Sequence, residues 1–101
     1  MSKEKIQKTE LQERLQMITS GNHGRKAAII FDGDVLIQNK PFKRLNYDPV
    51  NKGNDFVIEL EEYTHTIDAP SDFYLSKDEN GVLTAIEVID NGGKSCSLEF
   101  L

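Results

Sequence analysis

Two glycine-containing turns in the last thirty residues constrain the fold more than any other feature of the sequence. They lie at residues 77–81 and 90–93, and each contains an Asn-Gly pair between runs of β-branched and aromatic residues. Such a pair is a strong short-range signal for a β-hairpin, because Asn and Gly adopt positive φ at little cost. The sequence therefore predicts a meander of three antiparallel strands over residues 72–76, 82–89 and 94–100.

Alternation of polarity assigns the two faces of these strands. Side chains two residues apart point to the same side of a sheet, so apolar residues at every second position mark the buried face. The residues predicted to face the core are Phe73, Leu75, Val82, Thr84, Ile86, Val88, Cys96, Leu98 and Phe100.

The chain before the meander shows two different periods. Apolar residues recur at helical spacing from Ile6 to Ile18, which predicts a helix over about residues 3–18 that ends at the glycine-containing stretch 20–24. From residue 25 onward the period is two, and Pro70 is predicted to end the last of these segments. The strands predicted here cover residues 25–31, 35–38, 42–47, 56–61 and 63–68, with a loop at 48–54.

These elements predict an α+β fold that is mostly β, in a single domain spanning residues 1–101. One N-terminal helix packs on a curled antiparallel sheet or a small, partly open barrel, formed by the β-rich part from about residue 25 to residue 101. A chain of 101 residues, 38% hydrophobic and 29% charged, has the length and composition of one globular domain.

Cysteine usage and hydropathy indicate the compartment. The single cysteine, Cys96, excludes an internal disulfide and favours a reducing environment, so we expect a cytoplasmic protein. No apolar run approaches the roughly 20 residues of a membrane helix, and the polar N-terminus differs from a secretory signal. We therefore expect no membrane partner.

Charge is unevenly distributed along the chain. Residues 1–53 carry ten basic and six acidic side chains, a net charge of +4, whereas residues 54–101 carry two basic and eleven acidic ones, a net charge of −9. The acidic total of −5 argues against nucleic acid as a partner, because phosphate binding needs a positive surface. The asymmetry indicates either a bipolar surface for self-association or for a basic partner, or simply solvated charge on outward strand faces.

Several short strings between residues 42 and 101 occur together in one known family. They are Leu45-Asn46-Tyr47-Asp48-Pro49, the strand at 55–60, Thr64-His65-Thr66-Ile67 with Pro70 close behind, Glu79-Asn80-Gly81, Ile86-Glu87-Val88 and Leu98-Glu99-Phe100. With these residues the chain resembles a family of small bacterial proteins known only as a domain of unknown function. The Thr-His-Thr-Ile-x-x-Pro string is its most specific part. The resemblance implies relatives, and it implies no activity.

One string is similar to a catalytic motif. Asp32 and Asp34 follow an apolar run, as do the nucleophile and the acid/base of haloacid-dehalogenase-type phosphatases beside their magnesium ion. Here Gly33 lies between the two aspartates instead of after them, and the chain is too short for the parallel α/β fold of those enzymes. A charged hairpin turn is the preferred interpretation.

The other reactive side chains do not form a recognisable site in the sequence. His23, His65 and Cys96 are too scattered for a zinc site, which usually draws its four ligands from close pairs. Cys96 alternates with apolar residues and is interpreted as a buried side chain. We therefore predict no catalytic residue, no cofactor and no metal ligand.

His65 is the first candidate for a binding role, together with Tyr63 and Tyr47. It belongs to the most specific string of the family resemblance, and it is the histidine that lies inside a predicted strand. Two interpretations are open: a ring that packs in the sheet with its nitrogens satisfied locally, or a side chain that makes a ligand contact or a pH-sensitive contact.

Three functions are compatible with these observations. We favour a small non-enzymatic binding or interaction module, with a second copy of the chain (a homodimer) or another protein as partner. A nucleic-acid-binding barrel of the Sm-like kind would depend on Lys40, Lys43 and Arg44, the most compact basic cluster. A small-molecule-binding or enzymatic barrel would use the His65 group of candidates.

Overall fold

The computed structural model describes residues 2–48 and 54–101, which form eight strands and one α-helix. The elements are β1 (Ser2–Ile6), α1 (Leu11–Asn22), β2 (Lys26–Phe31), β3 (Asp34–Tyr47), β4 (Asp55–Leu60), β5 (Tyr63–Asp68), β6 (Pro70–Lys77), β7 (Leu83–Asp90) and β8 (Ser95–Phe100). All pairings are antiparallel in one open sheet of order β1-β6-β7-β8-β2-β3-β4-β5. The predicted mostly-β α+β fold is confirmed, and the sheet does not close into a barrel.

The sheet curls around its own core because the two halves of the bent strand β3 pair with different strands. The N-terminal part of β3 pairs with β2 and its C-terminal part with β4, so that β4 and β5 form an arm beyond the bend. Aromatic contacts show that the arm lies over the rest of the sheet: the ring centroid of Phe73 is 5.5 Å from that of Phe56 and 5.8 Å from that of Tyr47. Phe42 and Phe100 pack edge to face at 5.3 Å. Burying these rings supplies much of the apolar area that stabilises the fold.

The long strand β3 corrects a prediction. The sequence indicated two strands, at 35–38 and 42–47, separated by Asn39-Lys40-Pro41, whereas the chain forms one bent strand with irregular pairing to β2. Asn39 adopts a φ of 61°, which asparagine tolerates better than most residues. Pro41 lies just beyond the end of β4, where a missing N–H breaks no ladder bond, and its carbonyl accepts the N–H of Glu61 at 2.9 Å. The predicted loop that follows lies outside the described residues except at its two ends.

The predicted helix over residues 3–18 is wrong at both ends. Its first part is β1, which pairs with β6, and a short 3-10 turn at Lys8–Glu10 leads into α1. At the other end α1 continues past the predicted stop to Asn22, whose side-chain amide donates to the carbonyl of Ile18 at 2.8 Å.

Tertiary contacts explain why the N-terminus is a strand. Ile6 is buried in the core, while Lys3 and Lys5 lie on the outer face and pair with Glu87 at 2.8 Å and Asp72 at 3.2 Å. A sheet edge that needs a partner outweighs the weak helical preference of a short charged segment, and sequence periodicity does not report that edge.

Both predicted hairpin turns of the meander are present, and they share one chemistry. Asp78 accepts the N–H groups of residues 80 and 82 through its carboxylate, and Asp90 does the same for residues 92 and 94, at 2.8–3.0 Å. Three residues after each aspartate stands a glycine with positive φ, Gly81 at 78° and Gly93 at 83°. Local side-chain bonds of this kind close turns independently of the rest of the fold.

The inward faces of the meander follow the prediction with one correction. The predicted core residues of β6 and β8 are buried, as are Ile86 and Val88 of β7, while Thr84 is half-buried. The prediction that Val82 faces the core is wrong, since Val82 is 47% exposed. Its carbonyl accepts the N–H of Asp78 within the turn, and β7 begins one residue later.

Candidate functional site

The three candidate residues from the sequence lie on the core-facing side of the sheet. Tyr63 and His65 are two residues apart on β5, whereas Tyr47 lies on β3. Strand β4 separates them, since its residues pair with β3 on one side and with β5 on the other. Strands in a sheet are about 4.8 Å apart, so Tyr47 is about 10 Å from β5. The structure thus brings Tyr63 and His65 together and leaves Tyr47 apart.

Tyr47 is used within the fold. It is 7% exposed, its ring packs edge-on against Phe73, and its hydroxyl donates to Asn54 Oδ1 at 3.0 Å. Its backbone carbonyl accepts a hydrogen bond from the side-chain amide of Gln12 on α1. These contacts explain the burial and the hydrogen bonding of Tyr47 without a ligand.

His65 has an unusual environment for an edge-strand histidine. Its half-buried ring lies 5.6 Å from that of Phe31, and its buried Nε2 has no hydrogen-bond partner among the described residues. Burial lowers the pKa of His65 below 6.5, because a charged imidazolium loses solvation there. The Lys94 ammonium lies over the ring of Phe31, 5.9 Å from the ring centroid. At neutral pH the imidazole therefore presents an uncharged surface to the end of the sheet.

The basic cluster proposed for nucleic acid is partly neutralised. Arg44 forms a hydrogen-bonded ion pair with Glu59 on β4, and Lys40 lies 3.9 Å from the carboxylate of Glu62 in the following turn. Lys43 is exposed and forms no ion pair within the described residues. A phosphate chain would thus meet few uncompensated positive charges.

A groove of about 330 Å³ runs along α1 where the helix meets β3. Gln12, Leu15, Gln16, Thr19, Ser20, Arg44, Leu45 and Asn46 line it. This part of β3 has no strand partner on the helix side, and side chains of α1 take that place. Thr19 Oγ1 accepts the N–H of Leu45 at 3.1 Å, and the side-chain amide of Gln12 donates to the carbonyl of Tyr47 on the same side of β3. The groove therefore accompanies an edge that the fold already covers.

The backbone of β5 has an edge that is not covered in this way. Among the described residues its ladder partner is β4 alone, and β5 ends the strand order. The N–H of Ala69 donates to the carbonyl of Asn54 at 3.1 Å, which places a hydrogen-bonded pair at one end of this ladder. Hydrogen-bonded pairs recur at every second residue of an antiparallel ladder. From this anchor, the odd-numbered residues of β5 bond to β4.

The even-numbered residues of β5 consequently direct their N–H and C=O groups away from the sheet. These residues are Thr64, Thr66 and Asp68, and all three are exposed. Natural sheets usually protect such an edge with charged side chains, especially lysine, with proline or with a bulge. Strand β5 contains no lysine and no proline, and it pairs with β4 without a register shift; its one charge on this edge is Asp68, at the end of the strand. The opposite end of the sheet, β1, carries the exposed lysines Lys3 and Lys5.

The sequence did not single out Thr64, Thr66 or Asp68. The Thr-His-Thr string drew attention to the histidine between them, whose side chain faces the core. Strand order decides which strand is an edge, and the alternating pattern on β5 carries no information about strand order.

The arm is acidic as well as open. Between residues 54 and 68 the sequence has five carboxylates and no lysine or arginine. Asp55 and Asp68 are directly opposite each other across β4 and β5. The pKa of Asp55 is raised, first by desolvation and then by the carboxylates of Asp68 and Asp48. Like charges directly opposite each other destabilise a strand pair.

Within residues 2–48 and 54–101, no group of three His, Cys, Asp or Glu side chains is arranged to hold a metal ion. Burial raises the pKa of the Cys96 thiol to about 12, which keeps it protonated and inert. Asp32 and Gly33, both at positive φ, form the predicted tight turn between β2 and β3. The helix of the described residues is not long and apolar enough to cross a membrane.

Comparison with known protein families places the chain among relatives. A family of unknown function (DUF5335) matches residues 2–101, nearly the whole chain. No curated protein and no solved structure matches.

Proposed function

We propose that this chain, which belongs to the family of unknown function DUF5335, is an interaction module that takes up an extended strand of another polypeptide along β5. The observation that carries the proposal is the unprotected edge at Thr64, Thr66 and Asp68, whose backbone groups point away from β4. An extended peptide adds to such an edge as a further strand, and main-chain hydrogen bonds supply affinity while alternate side chains supply specificity.

Tyr63 and His65 take a definite place in this proposal. Side chains of an added strand alternate between the two faces, so every second one would lie on the inner face beside these two rings. His65 is uncharged at neutral pH, and its neighbour Phe31 is apolar, so this side favours an apolar residue of the partner. A binding role without catalysis uses these candidates better than an active site does, because Tyr47 already bonds within the fold. The single buried cysteine supports a cytoplasmic location for the module.

Amide hydrogen exchange of the free protein tests the edge itself. We expect slow exchange for the amides of Tyr63, His65 and Ile67, which bond to β4, and fast exchange for those of Thr64 and Thr66. Equal protection along β5 would contradict the proposal, because the edge would then already have a partner.

A peptide with no charged residues provides the binding probe. An eight-residue peptide that alternates valine and threonine should bind weakly, and should slow exchange at Thr64 and Thr66 when it is added in excess. Thr66→Pro removes the outward N–H and keeps the β4 ladder, so it should reduce affinity about tenfold or more. Thr66→Val retains the N–H and is the matched control.

Sedimentation of the free protein distinguishes the source of the added strand. A dimer that Thr66→Pro converts to monomer would support the proposal with a second copy as the partner. A monomer in which the peptide neither binds at millimolar concentration nor protects β5 would overturn it. The exchange measurement on the unmodified protein decides the matter even if the proline variant does not fold.

A further inference from the structure

We infer that the strand taken up by β5 is basic, with lysine or arginine at the alternate positions that lie on the outer face of the arm. The inference rests on the proposed function of β5 and names the chemistry of its partner. It follows from where the carboxylates of the arm stand relative to the open edge.

Three aspartates form one row across the outer face. Asp68 on β5 is directly opposite Asp55 on β4, and the N–H of Asp48, next to the end of β3, donates to the carbonyl of Asp55 at 2.9 Å. Neighbouring strands are about 4.8 Å apart, so a strand added to β5 places its own side chain about that distance beyond Asp68. A basic side chain at that position would lie directly opposite Asp68, and opposite charges on neighbouring strands stabilise the strand pair.

The surrounding charge favours the same sign. The arm has no lysine or arginine from residue 54 to the end of β5, and the nearby cations Arg44 and Lys40 already face Glu59 and Glu62. This leaves Lys43 on β3 as the neighbouring cation without an ion pair among the described residues. The carboxylate of Asp68 has no ion-pair partner among the described residues, and a cationic strand would supply one. An incoming acidic strand would instead extend a row of like charges.

A second copy of this chain fits the edge poorly for the same reason. Symmetric pairing of two β5 strands would bring two acidic arms together, and the carboxylates of one arm would repel those of the other. The basic strand that a second copy could offer is β1, but its Lys3 and Lys5 are engaged by Glu87 and Asp72 of their own sheet. The charge of the arm therefore points to a different polypeptide.

The inner face sets the intervening positions of the partner. Ile67 is buried, and Tyr63 and His65 are half-buried against the core, so side chains added beside them meet apolar surface. The lowered pKa of His65 keeps its imidazole uncharged at neutral pH. The partner is thus an extended segment in which apolar and basic residues alternate.

Three eight-residue peptides test the inference. In each, valine occupies every second position, and the remaining positions are all lysine, all threonine or all glutamate. At an ionic strength of about 0.01 M we expect the lysine peptide to bind at least about tenfold more tightly than the threonine peptide, and the glutamate peptide more weakly than either. At about 1 M salt, where the screening length is about 3 Å, the three affinities should converge.

Two variants locate the charge effect. Asp68→Asn should reduce the preference for lysine over threonine about threefold or more, since it removes the carboxylate nearest the added strand. Glu99→Gln removes an exposed carboxylate on β8, outside the arm, and should leave the preference unchanged.

The outcomes separate this inference from the function on which it rests. Binding of the threonine peptide with no preference for lysine would overturn the basic partner and leave strand addition intact. Failure of all three peptides, with no protection of Thr64 and Thr66, would overturn both. A lysine preference that survives Asp68→Asn and falls equally with Glu99→Gln would show unspecific attraction to an acidic protein, and would also overturn the inference. A dimer held by β5 would assign the edge to a second copy instead.

Discussion

Replacing Thr19 with valine tests how α1 covers the free side of β3. Thr19 Oγ1 accepts the N–H of buried Leu45 at 3.1 Å, on the side of β3 that faces α1 and has no strand partner. Valine has nearly the shape of threonine and a similar helix propensity, so the change removes the acceptor and little else. The variant should lose the free energy of this contact and keep the fold.

The groove beside α1 sets the expected magnitude. A protein hydrogen bond contributes about 0.5–1.5 kcal/mol, whereas a donor sealed away from water costs about 1–3 kcal/mol when its partner is removed. The groove of about 330 Å³ is lined in part by Thr19 and Leu45 and opens to solvent, so water reaches the N–H that loses its partner. We therefore expect a loss of about 1 kcal/mol.

Urea unfolding measures this loss. For a dependence of about 1–3 kcal/mol per molar urea, the midpoint should fall by about 0.3–1 M. Thr19→Ser keeps the accepting oxygen and should retain most of the stability, and exchange of the Leu45 amide should accelerate only in the valine variant. A valine variant as stable as the parent, or equal losses in both variants, would refute the idea that side chains of α1 replace a strand here.

Four further measurements test the core and the titrating groups. Ile86→Ala should lower the free energy of unfolding by about 2–5 kcal/mol, because Ile86 is fully buried in the sheet; an unchanged urea midpoint would contradict its inward position. Burial lowers the pKa of His65, so between the folded pKa and 6.5 the unfolded chain binds more protons than the folded one, and stability should fall as the pH drops below about 7. The advantage of the parent over His65→Phe should therefore shrink from pH 8 to pH 5, and a constant difference would count against a desolvated imidazole. Asp55→Asn should raise the melting temperature at pH 7, because the raised pKa means that the ionised carboxylate is disfavoured in the fold, and the gain should vanish below about pH 4, where both states are protonated. The thiol of Cys96, with its pKa raised to about 12, should resist a thiol reagent at pH 8 until urea unfolds the protein; modification at the rate of the unfolded chain would show that it is accessible.

The sequence was most informative where structure depends on neighbouring residues. The turns at Asp78 and Asp90 close through bonds between a side chain and backbone groups two and four residues further on, so their residues alone predict both hairpins. The adjoining strands follow, because a two-residue period and a closed turn determine the register of a hairpin. The burial of Cys96 follows from the alternation of apolar residues along β8 and is confirmed.

Predictions failed where the decisive partner is distant in sequence. The segment Ser2–Ile6 is a strand because β6 offers it an edge and buries Ile6, not because of its own residues. The bend that keeps β3 continuous past Asn39 depends on β2 and β4 pairing with its two halves. Neither pairing leaves a periodic signal in the segment that it controls.

The candidate site divides in the same way. The sequence alone determined that Tyr63 and His65 share one face of a strand, that the region from residue 54 to residue 76 is acidic, and that Cys96 forms no internal disulfide. The order and register of the folded strands show, in addition, that β5 ends the sheet, that Thr64 and Thr66 point their backbone groups outward, and that Asp48, Asp55 and Asp68 form one row. The physical reason is that side-chain alternation is a property of one strand, whereas an open edge is a property of the order in which all the strands pair.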